Sequence, residues 1–126
     1  MGKKYYNFYK IINKINNKIY VGRTEKSIRD RFKNHISSSK NDPAAYFLPL
    51  YHAFRKYGIN NFEIQHLYTF FCKNTDEANN IETYLINKNN AFYPNGYNVL
   101  GLSGILLKKY RYDYKCLVYK GIDYES

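Results

Sequence analysis

The chain has 126 residues, 44% of them hydrophobic, and a formal net charge of +10, which suits one basic domain with a modest core. No apolar run approaches the ~20 residues of a membrane-spanning helix and the N-terminus lacks the apolar core of a signal peptide, so we expect an intracellular, cytoplasmic protein that is not secreted. The two cysteines, Cys72 and Cys116, are far apart in sequence, which excludes a cysteine-rich zinc site and argues against a structural disulfide.

The first predicted element is a β-hairpin around Asn16-Asn17, because asparagine tolerates the positive φ that a tight turn requires. A two-residue turn places Asn13 opposite Tyr20. Side chains alternate along strands, so Tyr9 then shares a face with Tyr20 and Gly22. In this register the backbones of the two tyrosines lie roughly 13 Å apart. Their hydroxyls border one site only if the rings lean inward or a bulge shortens the path.

A helix is predicted directly after the hairpin, with Thr24 as its N-cap. Its core-facing row consists of Ile28, Phe32 and Ile36. Arg31 and His35 are four residues apart and so stack on one face beside that row. The pattern alone favours a solvated basic face that carries a histidine, and it leaves open a cation and an imidazole held at the border of the core.

Residues 37–43 read as a linker or loop by composition. A short helix follows and ends at Gly58; its apolar positions are Leu50, Ala53, Phe54 and Tyr57. A third strand is then predicted from alternating residues: Phe62, Ile64, His66, Tyr68 and Phe70. We assign no catalytic role to His52 or His66.

The next helix is predicted to begin at a cap, Thr75 or Asp76. Its apolar stripe is Ala78, Ile81, Tyr84 and Leu85. Glu82 falls on that stripe, where a carboxylate is costly unless it is paired or bound to a metal. From the pattern alone, a metal ligand and a carboxylate that snorkels or pairs with a lysine are equally good interpretations.

Residues 94–96 predict a turn, and residues 97–100 a short terminal strand. The amide of Asn98 suits either a functional site or the simple stabilisation of a turn. Residues 101–126 form a C-terminal extension of unknown role, in which tyrosines alternate with charged residues. An edge strand pair and a DNA-contacting tail both fit that composition.

The positive charge is concentrated in one third of the chain. Residues 1–40 hold eleven Lys/Arg and two Asp/Glu, a charge of +9, whereas residues 41–126 hold nine and eight, a charge of +1. Clustered charge of one sign predicts a polyanionic partner, and nucleic acid is the leading one. An anionic membrane surface is the rival partner, but no basic amphipathic helix with a wide apolar face supports it.

The ordered motifs resemble the GIY-YIG nuclease family, particularly its phage-type and viral homing-endonuclease branch. The two family triplets match Asn7-Phe8-Tyr9 and Tyr20-Val21-Gly22, in which only the tyrosines and the final glycine are literal matches. Codons rich in A and T encode the most abundant residues, tyrosine, asparagine, lysine and isoleucine, which indicates an AT-rich source genome such as that of a virus, phage or organelle.

The resemblance extends over about residues 5 to 100. The family's catalytic arginine matches Arg31, a histidine four residues on matches His35, and the catalytic glutamate matches Glu82. Residues 52–64 also match, as does the segment that ends at Asn98. The implied fold is α+β, a small GIY-YIG-like domain over residues 1–100 with a three-stranded antiparallel sheet flanked by helices.

The implied activity is that of a metal-dependent DNA endonuclease that hydrolyses phosphodiester bonds. Glu82 is then the ligand of one Mg²⁺, for which Mn²⁺ is an expected substitute, and the metal polarises the phosphate and assists the departing 3′ oxygen. Arg31 binds the phosphoryl oxygens as charge develops. By the same analogy Tyr9 is the general base, with Tyr20 and His35 orienting groups or relaying protons.

We expect DNA to be contacted by the basic residues around the hairpin and first helix and by the family asparagine: Lys14, Lys18, Arg23, Lys26, Lys33 and Asn98. The alternative is a catalytically inactive module that binds DNA or RNA through a basic, tyrosine-rich surface. A pure binder has no need for Glu82 on an apolar helix face. The oligomeric state is not specified by the sequence.

Overall fold

The computed structural model describes residues 4–99, so the predicted extension 101–126 lies outside the described residues. The strands are β1 (Lys4–Asn13), β2 (Ile19–Thr24) and β3 (Phe62–Cys72), and the helices are α1 (Ile28–Asn41), α2 (Pro49–Tyr57) and α3 (Thr75–Lys88). Both strand pairs are antiparallel and the sheet order is β2-β1-β3. The predicted α+β fold with a three-stranded antiparallel sheet is therefore confirmed. Within residues 4–99 no helix is both long and apolar enough to cross a membrane.

Each face of the central strand β1 supplies half of the core, because successive side chains point to opposite sides of a sheet. Phe8 faces α3 and belongs to the α3-side core, which also contains Tyr6, Val21, Cys72, Ala78, Leu85, Ile86 and Ala91. Tyr9 faces α1 and α2 and belongs to the opposite core, with Ile11, Leu50, Tyr51, Ala53, Phe54, Phe62 and Tyr97. The adjacent residues Phe8 and Tyr9 are both fully buried, so β1 is covered on both sides.

The loop that joins β1 and β2 is longer than two residues, so the predicted two-residue turn was wrong. The Asn13 N–H donates to the Lys18 carbonyl at 2.9 Å, so the connection is residues 14–17, with Asn17 alone at a positive φ of 66°. The pairing shifts by two positions, and Ile11 rather than Asn13 lies opposite Tyr20.

The side chains of two asparagines stabilise this longer loop. The carboxamide oxygen of Asn13 accepts from the Ile15 N–H, and that of Asn16 accepts from the Lys18 N–H, both at 2.9 Å. These are local turns of the type that asparagine forms with the backbone two residues on. The shorter strand path brings the tyrosines together, and the ring centroids of Tyr9 and Tyr20 are 6.4 Å apart.

Helix α1 begins three residues later than predicted and ends later as well. Ser27 is its N-cap and accepts from the Asp30 N–H, whereas Thr24 ends β2 and accepts from the Lys26 N–H. The predicted loop over residues 37–43 was wrong for most of its length, because the helix continues to Asn41. The predicted inward row of Ile28, Phe32 and Ile36 is confirmed by its packing against the core of Tyr9.

Strand β3 contains a bulge that divides the predicted alternating row between the two faces. Tyr9 pairs with His66 and Phe8 pairs with Tyr68, so Leu67 is the extra residue. As a result Tyr68 and Phe70 lie on the Phe8 side, while Phe62, Ile64 and His66 lie on the Tyr9 side.

Helix α2 ends at Gly58, where φ is 87°, as predicted. The N-cap of α3 is Asn74 rather than Thr75 or Asp76. Tyr84 is 61% exposed, so its predicted place on the apolar stripe was wrong; Ile86 is buried there instead. The predicted terminal strand is reduced to a single bridge between Phe92 and Asn98.

Candidate active site

Tyr9 lies at the middle of β1, and its phenol ring occupies space that the opposite residue leaves open. That residue is Gly22 on β2. A Cβ built on Gly22 would lie 2.6 Å from the Tyr9 Cζ atom, which is far inside van der Waals contact. Gly22 therefore permits the ring of Tyr9 to lie across the hairpin.

A buried chain of hydrogen bonds joins Tyr9 to two helices. The Tyr9 hydroxyl is 2.7 Å from Nε2 of His35 on α1, and Nδ1 of His35 is 2.8 Å from the hydroxyl of Tyr51 on α2. His35 is only 2% exposed, so a solvated face is excluded for this residue. Burial, with a smaller contribution from the Arg31 charge, lowers the pKa of His35 to about 3. The imidazole is therefore neutral at neutral pH.

Arg31 approaches the same hydroxyl from one turn earlier on α1. Its guanidinium is close enough to Tyr9 for the positive charge to act on the phenol oxygen. Burial raises the pKa of Tyr9 to about 12, against the opposing effect of the Arg31 charge. Tyr20 completes the group, with its ring centroid 5.4 Å from that of His35. Burial also raises the pKa of Tyr20 well above its ordinary value.

Tyr51 is the residue of this cluster that the sequence analysis missed. It lies among the apolar residues of α2 and is itself 5% exposed, so its pattern is that of a core aromatic. The available signal was the hydroxyl, since a buried tyrosine usually finds a hydrogen-bond partner. The partner, His35, is sixteen residues away on another helix.

Glu82 belongs to α3, the helix on the other side of the sheet, and is 8% exposed, as its position on the apolar stripe predicted. Its Oε1 atom forms an ion pair of 2.6 Å with Arg23 of β2. The same Arg23 nitrogen donates to Asn79 at 2.7 Å, and its guanidinium lies 5.2 Å from the Tyr6 ring centroid. Arg23, predicted to contact DNA, is thus held against Glu82.

The charges on Glu82 and the cluster around Tyr9 affect one another. Burial raises the pKa of Glu82, and the positive charges of Arg23 and Arg31 oppose that rise. The Glu82 carboxylate in turn contributes to the raised pKa of both Tyr9 and Tyr20. Glu82 is therefore near enough to act electrostatically on the same site.

Glu82 offers a single carboxylate, which can hold one hard divalent cation only when substrate and water complete the coordination. Mg²⁺ in proteins is commonly held by one or two carboxylates together with several waters and substrate phosphates. Within residues 4–99 there is no group of three or more His, Cys, Asp or Glu side chains that could form a metal site by themselves. One buried carboxylate is consistent with an ion that keeps several waters and binds substrate phosphates. A site made of protein ligands alone is excluded for residues 4–99.

A cavity of about 220 Å³ opens onto this cluster. Its polar wall is formed by Tyr20, Arg31, His35 and Tyr51, and Val99 closes one side. The residues that carry the hydroxyl, imidazole and guanidinium groups therefore border one space.

Asn98 has a structural role in this arrangement. It is 1% exposed, its carboxamide oxygen accepts from the Val21 N–H at 2.7 Å, and its amide nitrogen donates to the Val21 carbonyl at 2.8 Å. Both bonds are made to the outer edge of β2. The contact with DNA predicted for Asn98 stays a prediction. The other interpretation, an amide that stabilises the fold, agrees with these two hydrogen bonds.

The lysines predicted to contact DNA differ in exposure. Lys14, Lys26 and Lys33 are exposed and come from the hairpin loop, the β2–α1 connection and α1, while Lys18 is half-buried. Their contacts with DNA stay predictions.

Residues 5–98 match the GIY-YIG catalytic domain family. Among solved structures, the catalytic domain of the homing endonuclease I-TevI is 27% identical with a TM-score of 0.59, covering 76% of this chain and 99% of that chain. The catalytic domain of the intron endonuclease I-TevI with a glutamate replaced by alanine is also 27% identical, with a TM-score of 0.61, covering 79% of this chain and 97% of that chain.

No curated protein sequence matches the chain. The family match covers most of the chain and includes every strand and helix of the described fold. It also spans the cluster of Tyr9, Tyr20, Arg31 and His35 and the carboxylate of Glu82. The chain belongs to the GIY-YIG family of nuclease domains.

Proposed function

We propose that this nuclease domain is a Mg²⁺-dependent DNA endonuclease that hydrolyses phosphodiester bonds at the cavity lined by Tyr20, Arg31 and His35. The observation that supports this best is the hydroxyl of Tyr9, which lies 2.7 Å from Nε2 of the neutral His35 imidazole and near the charge of Arg31. A hydroxyl with a proton acceptor and a cation beside it is suited to handling the proton of an attacking water.

Tyr9 acts as the general base from its neutral phenol form rather than as a preformed phenolate. With a pKa of about 12, roughly one molecule in 10⁵ carries the phenolate at pH 7. The attacking water passes its proton to the Tyr9 oxygen as the Tyr9 proton moves to Nε2 of His35. The water oxygen forms the new bond to phosphorus, the bond to the departing 3′ oxygen breaks, and solvent protonates that oxygen.

Arg31 stabilises the charge that this step creates. Its side chain is half-buried at the cavity wall, near the Tyr9 phenol. A fixed donor fork that meets two phosphoryl oxygens strengthens as negative charge accumulates on them. The same negative charge offsets the cost of an imidazolium on buried His35.

Glu82 is the proposed ligand of Mg²⁺, for which Mn²⁺ can substitute. The bound ion would supply Lewis-acid polarisation of the phosphate and charge stabilisation at the departing oxygen. Glu82 contributes a buried carboxylate, and Arg23 holds that carboxylate in place by the 2.6 Å ion pair.

Nicking of supercoiled plasmid DNA with and without Mg²⁺ tests the proposal. Glu82→Gln should keep the fold and DNA binding but lower the Mg²⁺-dependent cleavage rate by roughly 10²-fold or more, because several kcal/mol of charge stabilisation are lost. Glu77→Gln, on the first turn of the same helix, is the matched control and should cut normally.

Wild-type rates in the Glu82→Gln variant would show that the carboxylate is not the metal ligand. DNA binding without cleavage by the wild-type protein, in either Mg²⁺ or Mn²⁺, would favour the catalytically inactive nucleic-acid-binding module.

A further inference from the structure

We propose that Tyr51 is a positioning residue that fixes the neutral ring of His35 in the tautomer with its hydrogen on Nδ1, which leaves Nε2 open to the Tyr9 hydroxyl. The effect on cleavage rests on the proposed function, whereas the tautomer itself is a property of the free protein. Tyr51 acts through His35 and needs no contact with the phosphate.

Both ring nitrogens of His35 are occupied by buried hydroxyls. Nε2 is 2.7 Å from the Tyr9 oxygen and Nδ1 is 2.8 Å from the Tyr51 oxygen. His35 and Tyr51 are only 2% and 5% exposed. A neutral imidazole has one N–H donor and one acceptor, so the ring must donate to one of these hydroxyls and accept from the other.

The charge of Arg31 favours one of the two arrangements. Its guanidinium carries only donors and acts on the Tyr9 oxygen as a nearby positive charge. Such a charge favours the phenol with its oxygen towards Arg31 and its hydrogen towards His35. The hydroxyl hydrogen of Tyr9 therefore needs an acceptor, and Nε2 lies at hydrogen-bond distance. An unprotonated Nε2 requires the single ring hydrogen on Nδ1, which then donates to Tyr51.

Tyr51 supplies the acceptor that this tautomer requires. Its oxygen lies 2.8 Å from Nδ1, and without the hydroxyl the hydrogen on Nδ1 would lose its buried partner. The order of donation is then Tyr9 to His35 and His35 to Tyr51.

Tyr51→Phe removes the hydroxyl and keeps the ring, so it tests the proposal with little change of volume. The position of the ring hydrogen is read by ¹⁵N–¹H correlation spectra of histidine-labelled protein, without DNA or metal. In the wild type we expect His35 with its hydrogen on Nδ1, and in Tyr51→Phe a measurable rise in the fraction of the Nε2–H form, because the hydrogen on Nδ1 has lost its acceptor. Tyr84→Phe, at a 61% exposed position on α3, is the control and should keep the wild-type pattern.

Cleavage kinetics supply the second measurement. Loss of an orienting partner of histidine commonly costs roughly 10- to 100-fold, and we expect Tyr51→Phe to lower kcat by that range with little change in KM. Ser38→Ala keeps the Tyr51 hydroxyl and should keep the hydrogen on Nδ1.

A wild-type spectrum with the hydrogen on Nε2 would overturn the proposal, and this reading needs no variant to fold. An unchanged tautomer in Tyr51→Phe would overturn it as well. If the protein cuts no DNA but the tautomer shifts as expected, the proposed function fails and the positioning role of Tyr51 stands.

Discussion

Arg31 and His35 lie one turn apart on α1 and act on the same hydroxyl of Tyr9 with opposite chemistry. The Arg31 charge opposes the rise in the pKa of the phenol, and the half-buried Arg31 side chain lines the cavity. His35 is fully enclosed, and its neutral ring offers a lone pair. The spacing of one helical turn thus places a cation and a proton acceptor beside the same hydroxyl.

Arg31 is the residue whose replacement should separate catalysis from binding. Arg31→Ala should lower kcat by roughly 10²-fold or more, the scale of removing one preorganised electrostatic group. Arg31→Lys should not restore cleavage, since lysine keeps the charge but loses the fork. DNA affinity should change little, because ten other Lys/Arg remain in residues 1–40.

Single-turnover cleavage and binding titrations measure the two effects of Arg31. Arg29→Ala, an exposed arginine two residues earlier on the same helix, is the matched control and should leave kcat unchanged. Affinity that falls as far as cleavage would make Arg31 an ordinary phosphate anchor.

Burial of a neutral His35 predicts that the protein loses stability in acid. The folded pKa is about 3 and the ordinary value 6.5, so between these limits the unfolded chain binds a proton that the folded chain does not. The free energy of unfolding therefore falls as pH falls through this window. Between pH 6.5 and 4.5 the loss attributable to His35 should be about 2 kcal/mol.

Urea unfolding at several pH values, compared between the wild type and His35→Gln, isolates this contribution from other titrating groups. The stability difference between the two proteins should shrink toward pH 4.5. His66→Gln removes an exposed histidine and serves as the control. A difference that is constant with pH would mean that folded His35 titrates normally.

The connection between β1 and β2 decides how close the two tyrosines of the site lie. The hairpin, the inward row of α1, the end of α2 at Gly58 and the burial of Glu82 were all predictable from apolar spacing and turn residues. The loop length was not, because Asn16-Asn17 tolerates positive φ in loops of either length. Bonds from two asparagine side chains to the backbone select the four-residue loop.

The candidate site was also predictable only in part, because some of its contacts join residues that are far apart in the sequence. Tyr9, Tyr20, Arg31 and His35 were predicted as a group through the family triplets and the helical spacing, and the structure brings them together. Tyr51 had no local signal, because its partner lies on another helix. The Arg23–Glu82 pair is likewise a contact across 59 residues, which periodicity cannot reveal.

Asn98 holds the outer edge of β2 in place of a fourth strand. Asn98→Ala removes both bonds to Val21 and leaves two buried backbone groups without these partners, so the free energy of unfolding should fall by about 2 to 4 kcal/mol. Thermal or urea unfolding measures the loss. Asn95→Ala, in the exposed turn just before it, is the control and should change stability by less than about 0.5 kcal/mol. Unchanged stability with weakened DNA binding would instead support the predicted DNA contact.

The positive charge of the whole molecule is unevenly distributed, since residues 1–40 carry +9 of the +10 charge. The described part of that segment forms β1, β2 and most of α1, the elements that also supply Tyr9, Tyr20, Arg31 and His35. A field of this kind attracts a polyanion to the side of the molecule that carries the site.

Three exposed lysines of this segment test where DNA binds. Changing Lys14, Lys26 and Lys33 together to alanine should weaken binding to all sequences, and each lost phosphate contact should reduce the log–log salt slope by about 0.9 on duplex DNA. Binding titrations over a range of salt concentrations give the slope. Replacement of three exposed lysines elsewhere is the control: Lys56, Lys73 and Lys88. Equal slopes for the two triple variants would place the DNA on another surface.

Tyr9 and Gly22 are one steric unit, because a Cβ at position 22 would overlap the ring at position 9. Mutations at the two positions should therefore be strongly epistatic: alanine at 22 is costly beside the intact ring and tolerated beside a small side chain. Phe8 and Val21 instead fill the α3-side core, where other apolar side chains can serve. A lineage can then exchange the middle residues of both triplets freely while the coupled pair stays fixed. A sequence search that gives equal weight to all six positions of the two triplets will therefore score such chains too low.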